Sequence, residues 1–287
     1  MIRRTGTILA ALALPAALFA GTAAADLKLP RVSPKASVSQ DIGLTTVTVA
    51  YCRPGVKSRT IWGELVPYDK PWRTGANEAT AFTTTDEIQL GGQKLPAGSY
   101  ALLTIPGKDQ WTVVLNSGTD LWGTTGYKTE KDVLRFQVKP EAAEHEEWMR
   151  FSFEDLTNNS ANLVLRWEKL RLAIPITVDV NGRALADSRA AATSAETDTW
   201  RVPYQAANYC FTSEVSLDEG RKWLDKSLAV QRNYTNLTLL AKWQMKEGKK
   251  KEAIATAQSA IAAGKASKEK VETAPTEKLL ADWTAAK

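Results

Sequence analysis

The stretch from Pro71 to Thr80 reads PWRTGANEAT and gathers four reactive side-chain types around Gly75: Trp72, Arg73, Asn77 and Glu78. An indole face stacks on a sugar ring or a cation, and an Arg fork grips a carboxylate or phosphate. Just upstream, IWGELVPYDK adds Trp62, Glu64 and Tyr68, and YCRPGVKSR adds Arg53 ahead of Pro54-Gly55. This composition assigns stacking to Trp62 and Trp72, anion gripping to Arg53 and Arg73, and polar orientation to Asn77 and Glu78. A second reading is open on the same spacing. A long connection must satisfy its own backbone polar groups. Asn77 then ties the turn, Arg73 pairs with Glu78, and Trp72 plugs the end of the fold.

Other chemistries find little support. His145 is the single histidine, in EAAEHEEWMR, an acidic and exposed connection. A Ser-His-Asp triad or a His-rich metal centre would have to use it. No G-x-S-x-G elbow and no D-x-D-x-D-G loop occurs. We therefore assign no catalytic residue, no metal ligand and no cofactor. Cys52 and Cys210 are the two cysteines. They lack C-x-x-C spacing, fall in different halves, and read as separately buried thiols rather than a bridge. Trp111 and Trp167 lie inside strand patterns and read as core. Trp122, in the Gly/Thr-rich TDLWGTTGY, is evenly poised between lining the same end of the fold and packing.

These residues need a scaffold, and the chain supplies two kinds. A leader comes first. Arg3 and Arg4 precede an apolar run from Ile8 to Ala20, and Ala23 and Ala25 fit an A-x-A cleavage site. Residues 1–25 are thus expected to be a signal peptide, with the mature protein periplasmic or secreted and without a membrane span. Losing Arg3 and Arg4 lowers the formal net charge from +5 to +3. Basic and acidic residues are interspersed and form no basic stripe, so nucleic acid is not an expected partner.

Residues 26–180 alternate with a period of two. TTVTVAY sets Val47, Val49 and Tyr51 on one face, VLRFQVKP sets Leu134, Phe136 and Val138, and ANLVLRWEKL sets Leu163, Leu165 and Trp167. EIQLGGQKL reads as a hairpin about Gly91-Gly92. Short strands punctuated by Gly and Pro predict an antiparallel β-sandwich. Residues 181–198 are rich in Ala, Ser and Thr and read as a linker or a loosely held helix.

From 199 to 287 the period becomes helical. Ser216 and Glu219 have the spacing of a capping box, followed by a buried stripe through Leu217, Trp223 or Leu224, and Leu228. Gly248 and Gly264 end the next two helices, and Ala253 and Ala260 suit close helix contact. Helix, short turn, helix, Gly stop resembles a tetratricopeptide unit, with PTEKLLADWTAAK as a terminal cap. The fold class is therefore mainly β plus α, a sandwich followed by helical hairpins.

The motifs SPKASVSQ, YCRPGVKSRTIWGELVPYDKPWRTGANEAT, LPAGSYALLTIPG and SANLVLRWEKL together resemble the family called domain of unknown function 2911, over roughly Pro34 to Thr177. The resemblance implies an exported bacterial protein, often with tetratricopeptide-like helices after the β domain. Arg53, Trp72, Arg73, Gly75, Asn77 and Glu78 match its signature, with no role attached. The family pattern has Ser where this chain has Cys52, so no family-wide thiol function is implied there.

Three functions compete. The favoured one is a non-catalytic binding or interaction module of the cell envelope, taking a small polar or glycan ligand at the loop end and a protein partner on the helical repeat. A carboxylate-dependent envelope or glycan hydrolase would use Glu78 as acid or base with Arg73 tuning it. The third is a structural assembly scaffold.

Overall fold

The computed structural model describes residues 29–193 and 199–285; the expected leader, residues 1–25, lies outside them. The alternating segments form ten strands among the described residues: β1 Lys35–Ile42, β2 Thr45–Cys52, β3 Thr80–Thr84, β4 Ile88–Leu90, β5 Gln93–Leu95, β6 Gly98–Ile105, β7 Trp111–Asn116, β8 Asp132–Val138, β9 Glu141–Glu154 and β10 Ser160–Thr177. They build two antiparallel sheets, one ordered β1-β2-β3-β6-β7-β8 and one ordered β5-β4-β10-β9. The chain leaves the larger sheet after β3 to make the β4–β5 hairpin of the other, then returns as β6 beside β3.

Period-two patterning places the core. Val47 and Val49 of β2 are fully buried, and Tyr51 nearly so. The intervening Thr46, Thr48 and Ala50 turn to the outer face. Phe82, Leu102, Trp111, Val113, Leu163, Leu165, Ile174 and Ile176 join the same cluster from both sheets. Gly91 takes φ +59 at the β4–β5 turn, as the hairpin requires, and packs against the Phe136 ring.

The segment around His145 departs from its expected place. It is part of strand β9, not a connection. The long β9–β10 hairpin carries charged pairs on its exposed face, and the residues that read as an acidic loop are one side of that ladder. Arg166 and Arg171 both donate to Glu154, and Arg171 also reaches Glu141.

Six helices follow among the described residues: α1 Val180–Thr193, α2 Arg201–Ser213, α3 Leu217–Val230, α4 Tyr234–Lys246, α5 Lys250–Lys265 and α6 Ala274–Ala285. Much of the stretch read as a linker or a loosely held helix is α1. Asp179 Oδ1 accepts from the Gly182 N–H to start it, and Leu185 buries in the helical core. Arg183 pairs with Asp86, tying α1 to the turn after β3. The expected capping box at α3 does not form. Ser216 has φ 44 with no side-chain cap bond, and Glu219 is drawn instead into a two-point pair with Arg189. The box appears one helix later, where Asn233 and Asn236 cap α4 reciprocally.

Ala253, Ala257 and Ala260 are fully buried, because α5 packs closely on α4. Trp223, Leu224, Leu228, Leu237, Leu240 and Trp243 fill the space between α3 and α4. Cys210 sits in this core and Cys52 at the end of β2, and the two are not joined in a disulfide. Among the described residues no helix is long and apolar enough to cross a membrane.

Candidate functional site

Residues 53–79 connect β2 to β3 as a strap rather than a free loop. Its backbone groups are paired piece by piece with the sandwich. Val56 N donates to Glu147 O at 2.8 Å and Met149 N to Pro54 O at 3.0 Å. Trp72 and Thr104 exchange both backbone bonds, at 2.7 and 2.9 Å. Ala79 N donates to Leu121 O at 3.0 Å and Gly123 N to Asn77 O at 3.0 Å. Lys57, Ser58, Asp69, Thr74 and Asn77 all have positive φ. For Thr74, β-branched and with φ 52, that is a strained conformation. Neighbours hold it there: Thr80 Oγ1 donates to its carbonyl at 2.7 Å, and its own hydroxyl meets Thr104 Oγ1 at 3.1 Å.

The strap divides the six sequence-selected residues. Trp72 is 8% exposed and lies in the core. Its ring stacks on Trp167 at 5.8 Å and 19°, and Trp62 meets Trp111 edge-on at 5.0 Å and Trp167 at 5.6 Å. Four indoles thus fill one end of the sandwich. Trp72 Nε1 donates back to Gly75 O at 3.1 Å. Arg53 turns to the edge of β9, donating from Nε to Met149 O at 2.8 Å and from Nη2 to Trp148 O at 3.3 Å. It acts there as a clamp between the two sheets.

Arg73, Asn77 and Glu78 come together on the opposite, outer face of the larger sheet. Arg73 is half-buried, and its Nε is buried with no hydrogen-bond partner among the described residues. Burial pulls its guanidinium below the ordinary Arg value, and the neighbouring Cys52 partly opposes this. Its Nη1 lies against Gly123. Asn77 Nδ2 donates to Ser33 O at 3.3 Å. Glu78 does not pair with Arg73. Its Oε1 is 3.3 Å from Lys35 Nζ, and its Oε2 accepts from Cys52 Sγ at 3.4 Å.

Beside that carboxylate is a groove of about 260 Å³, lined by Lys35, Ala50, Cys52, Glu78, Ala81 and Thr119 among others. Strand register explains it. Ala50 faces Ala81, and Ala81 faces Ala101 across β2, β3 and β6. Ala50 and Ala81 abreast lower the sheet surface, and Ala101 continues the row beneath Leu121, while Lys35, directly opposite Cys52 in β1, raises a wall. Thr119, in the connection after β7, lines the other side, and Leu121 of the same connection packs with Leu103 and Val114. Trp122, bridge-paired with Glu78, is 63% exposed beside it.

Lys35 and Thr119 carry no sequence signal of their own; only strand pairing and loop return bring them here. Cys52 and Trp122 were visible as residue types but not as neighbours of Glu78. Among the described residues no cluster of three or more His, Cys, Asp or Glu could hold a metal ion.

These features define an antiparallel two-sheet β domain with a small, alanine-lined groove bearing one carboxylate, followed by packed helical hairpins. The chain belongs to the family described as protein of unknown function (DUF2911), whose model matches residues 33–176. The match takes in all ten strands except the last residue of β10, includes the groove, and stops before α1. No curated protein and no solved structure matches the chain.

Proposed function

We propose that this protein is a ligand-binding module whose β domain takes a small polar molecule in the groove beside Glu78. One observation carries the reading: Lys35, Cys52 and Glu78 converge on a concave, alanine-floored surface, and the exposed Trp122 is bridge-paired with Glu78. A cation, a carboxylate and a thiol supply donors and acceptors, and the indole supplies a flat apolar face. That combination suits a monosaccharide or a polar amino-acid-sized compound. The volume admits about one ring. Binding is favoured over hydrolysis, because Glu78 is the single carboxylate in the lining and both its oxygens already accept from neighbours. Paired-carboxylate chemistry requires a second acid at a defined separation.

The same reading places the protein outside the cytoplasm, on the strength of the leader-like residues 1–25. It leaves the helical hairpins to contact a protein partner.

The test is differential scanning fluorimetry of the full chain against monosaccharides and amino acids. A compound that raises the melting temperature of the wild type, and fails to do so with Trp122→Ala or Glu78→Gln, supports the groove. If no compound shifts the transition, or the shift survives in both variants, the proposal fails.

A further inference from the structure

The helical half carries a second cleft, of about 470 Å³, where the N-terminus of α2, the α3–α4 turn and the segment after α5 meet. Its charged lining is Arg201, Arg232, Lys268 and Glu269, three cations to one anion. Ion pairs elsewhere in this half engage Arg221, Lys246, Lys249 and Lys265. Among the described residues none takes in Arg201, Arg232 or Lys268. Like charges gathered without neutralisation repel, and a bound anion relieves that.

The cap of α4 also lines the cleft. Asn233 Oδ1 accepts from the Thr235 and Asn236 N–H groups and so caps α4. Its Nδ2 is buried with no hydrogen-bond partner among the described residues. The α3–α4 turn is tied to the residue before α2. Ser227 Oγ donates to Trp200 O at 2.8 Å, and Asn236 Nδ2 donates to Ser227 Oγ at 3.1 Å and to Gln231 O at 2.6 Å. Arg201 is held over the Trp200 ring at 5.7 Å. A site assembled before its ligand arrives loses less entropy on binding.

We propose that this cleft binds a small anion carrying two or more phosphate or carboxylate groups. The inference is independent of the groove in the β domain. Isothermal titration of the full chain with inorganic pyrophosphate and with citrate tests it, and the tighter of the two names the ligand class. Saturable binding is expected to weaken about tenfold or more in R232A/K268A, since each variant removes a charge-assisted contact. Asn233→Asp keeps a capping oxygen but replaces the donor with a negative acceptor. It is expected to weaken binding while the melting temperature holds. Glu269→Gln is expected to tighten it. Neither anion giving saturable heat at millimolar concentration would overturn the proposal. So would R232A/K268A binding as the wild type does, or an equal loss in Lys94→Ala, a cation of the β domain.

Discussion

Cys52 Sγ donates to Glu78 Oε2 across 3.4 Å, joining the end of β2 to the residue pair that leads into β3. Lys35 holds the other oxygen from β1. Three segments far apart in the chain therefore meet at one carboxylate, and the groove exists because they do. Replacing Glu78 by Ala should cost about 0.5–1 kcal/mol, the scale of a partly exposed pair. Cys52→Ser, which keeps a donor, should cost less. Urea denaturation of the three proteins ranks them.

The two tryptophan environments separate stability from binding. Trp72→Ala empties space inside the four-indole cluster and should destabilise by about 3–5 kcal/mol. Trp122→Ala removes an exposed ring and should stay within about 0.5 kcal/mol of wild type. Denaturation midpoints followed by circular dichroism decide this. A large loss for Trp122→Ala would mean that its ring packs rather than waits for a ligand.

Glu154 sets an acid limit on the sandwich. Its hydrogen bond to Arg166, with further bonds from Arg171 and Ser152, lowers its carboxyl from the ordinary 4.5 to about 2. A depressed folded value means the contribution is fully present above about pH 4.5 and is lost as pH falls toward 2. The stability gap between wild type and Glu154→Gln should be constant near neutrality and shrink across that window. Thermal melts from pH 7 to pH 2 measure it. A gap that does not narrow would remove the charge-assisted account.

Gly220 sets two effects against each other. Alanine is favoured over glycine in a helix interior by about 1 kcal/mol. A methyl group there would collide with Cys210 Cβ and approach the Trp243 ring, where α3 meets its neighbours. Overpacking costs about 1–3 kcal/mol, so Gly220→Ala should lower the melting temperature. A rise would show that α2 and α3 move apart easily.

The thiols give a direct count. The two cysteines are not bridged to each other; one lies at the groove and one in the helical core. Burial raises the Cys210 thiol above its ordinary value, which slows its reaction further. Unreduced protein in denaturant should titrate two thiols with Ellman's reagent, and native protein should react slowly at Cys210. Titration of none in denaturant would demonstrate a bridge.

By itself the sequence determined what depends on local periodicity. Alternating Val47, Val49 and Tyr51 dictated a half-buried strand, Gly91-Gly92 a tight hairpin, and the spacing of Trp223, Leu224 and Leu228 a helix face. It also marked Arg73, Asn77 and Glu78 as worth attention, because residue type and turn composition are local properties. It could not separate Trp72 from Trp122. Both stand in Gly-bearing connections, and only the return path of each loop buries one ring and leaves the other 63% exposed. Tertiary structure alone decided that Glu78 meets Lys35 and Cys52 rather than Arg73. It likewise gave Glu219 to Arg189 instead of to a helix cap. Such pairings join residues distant in the chain, so they are set by strand register and helix packing, which no short stretch encodes.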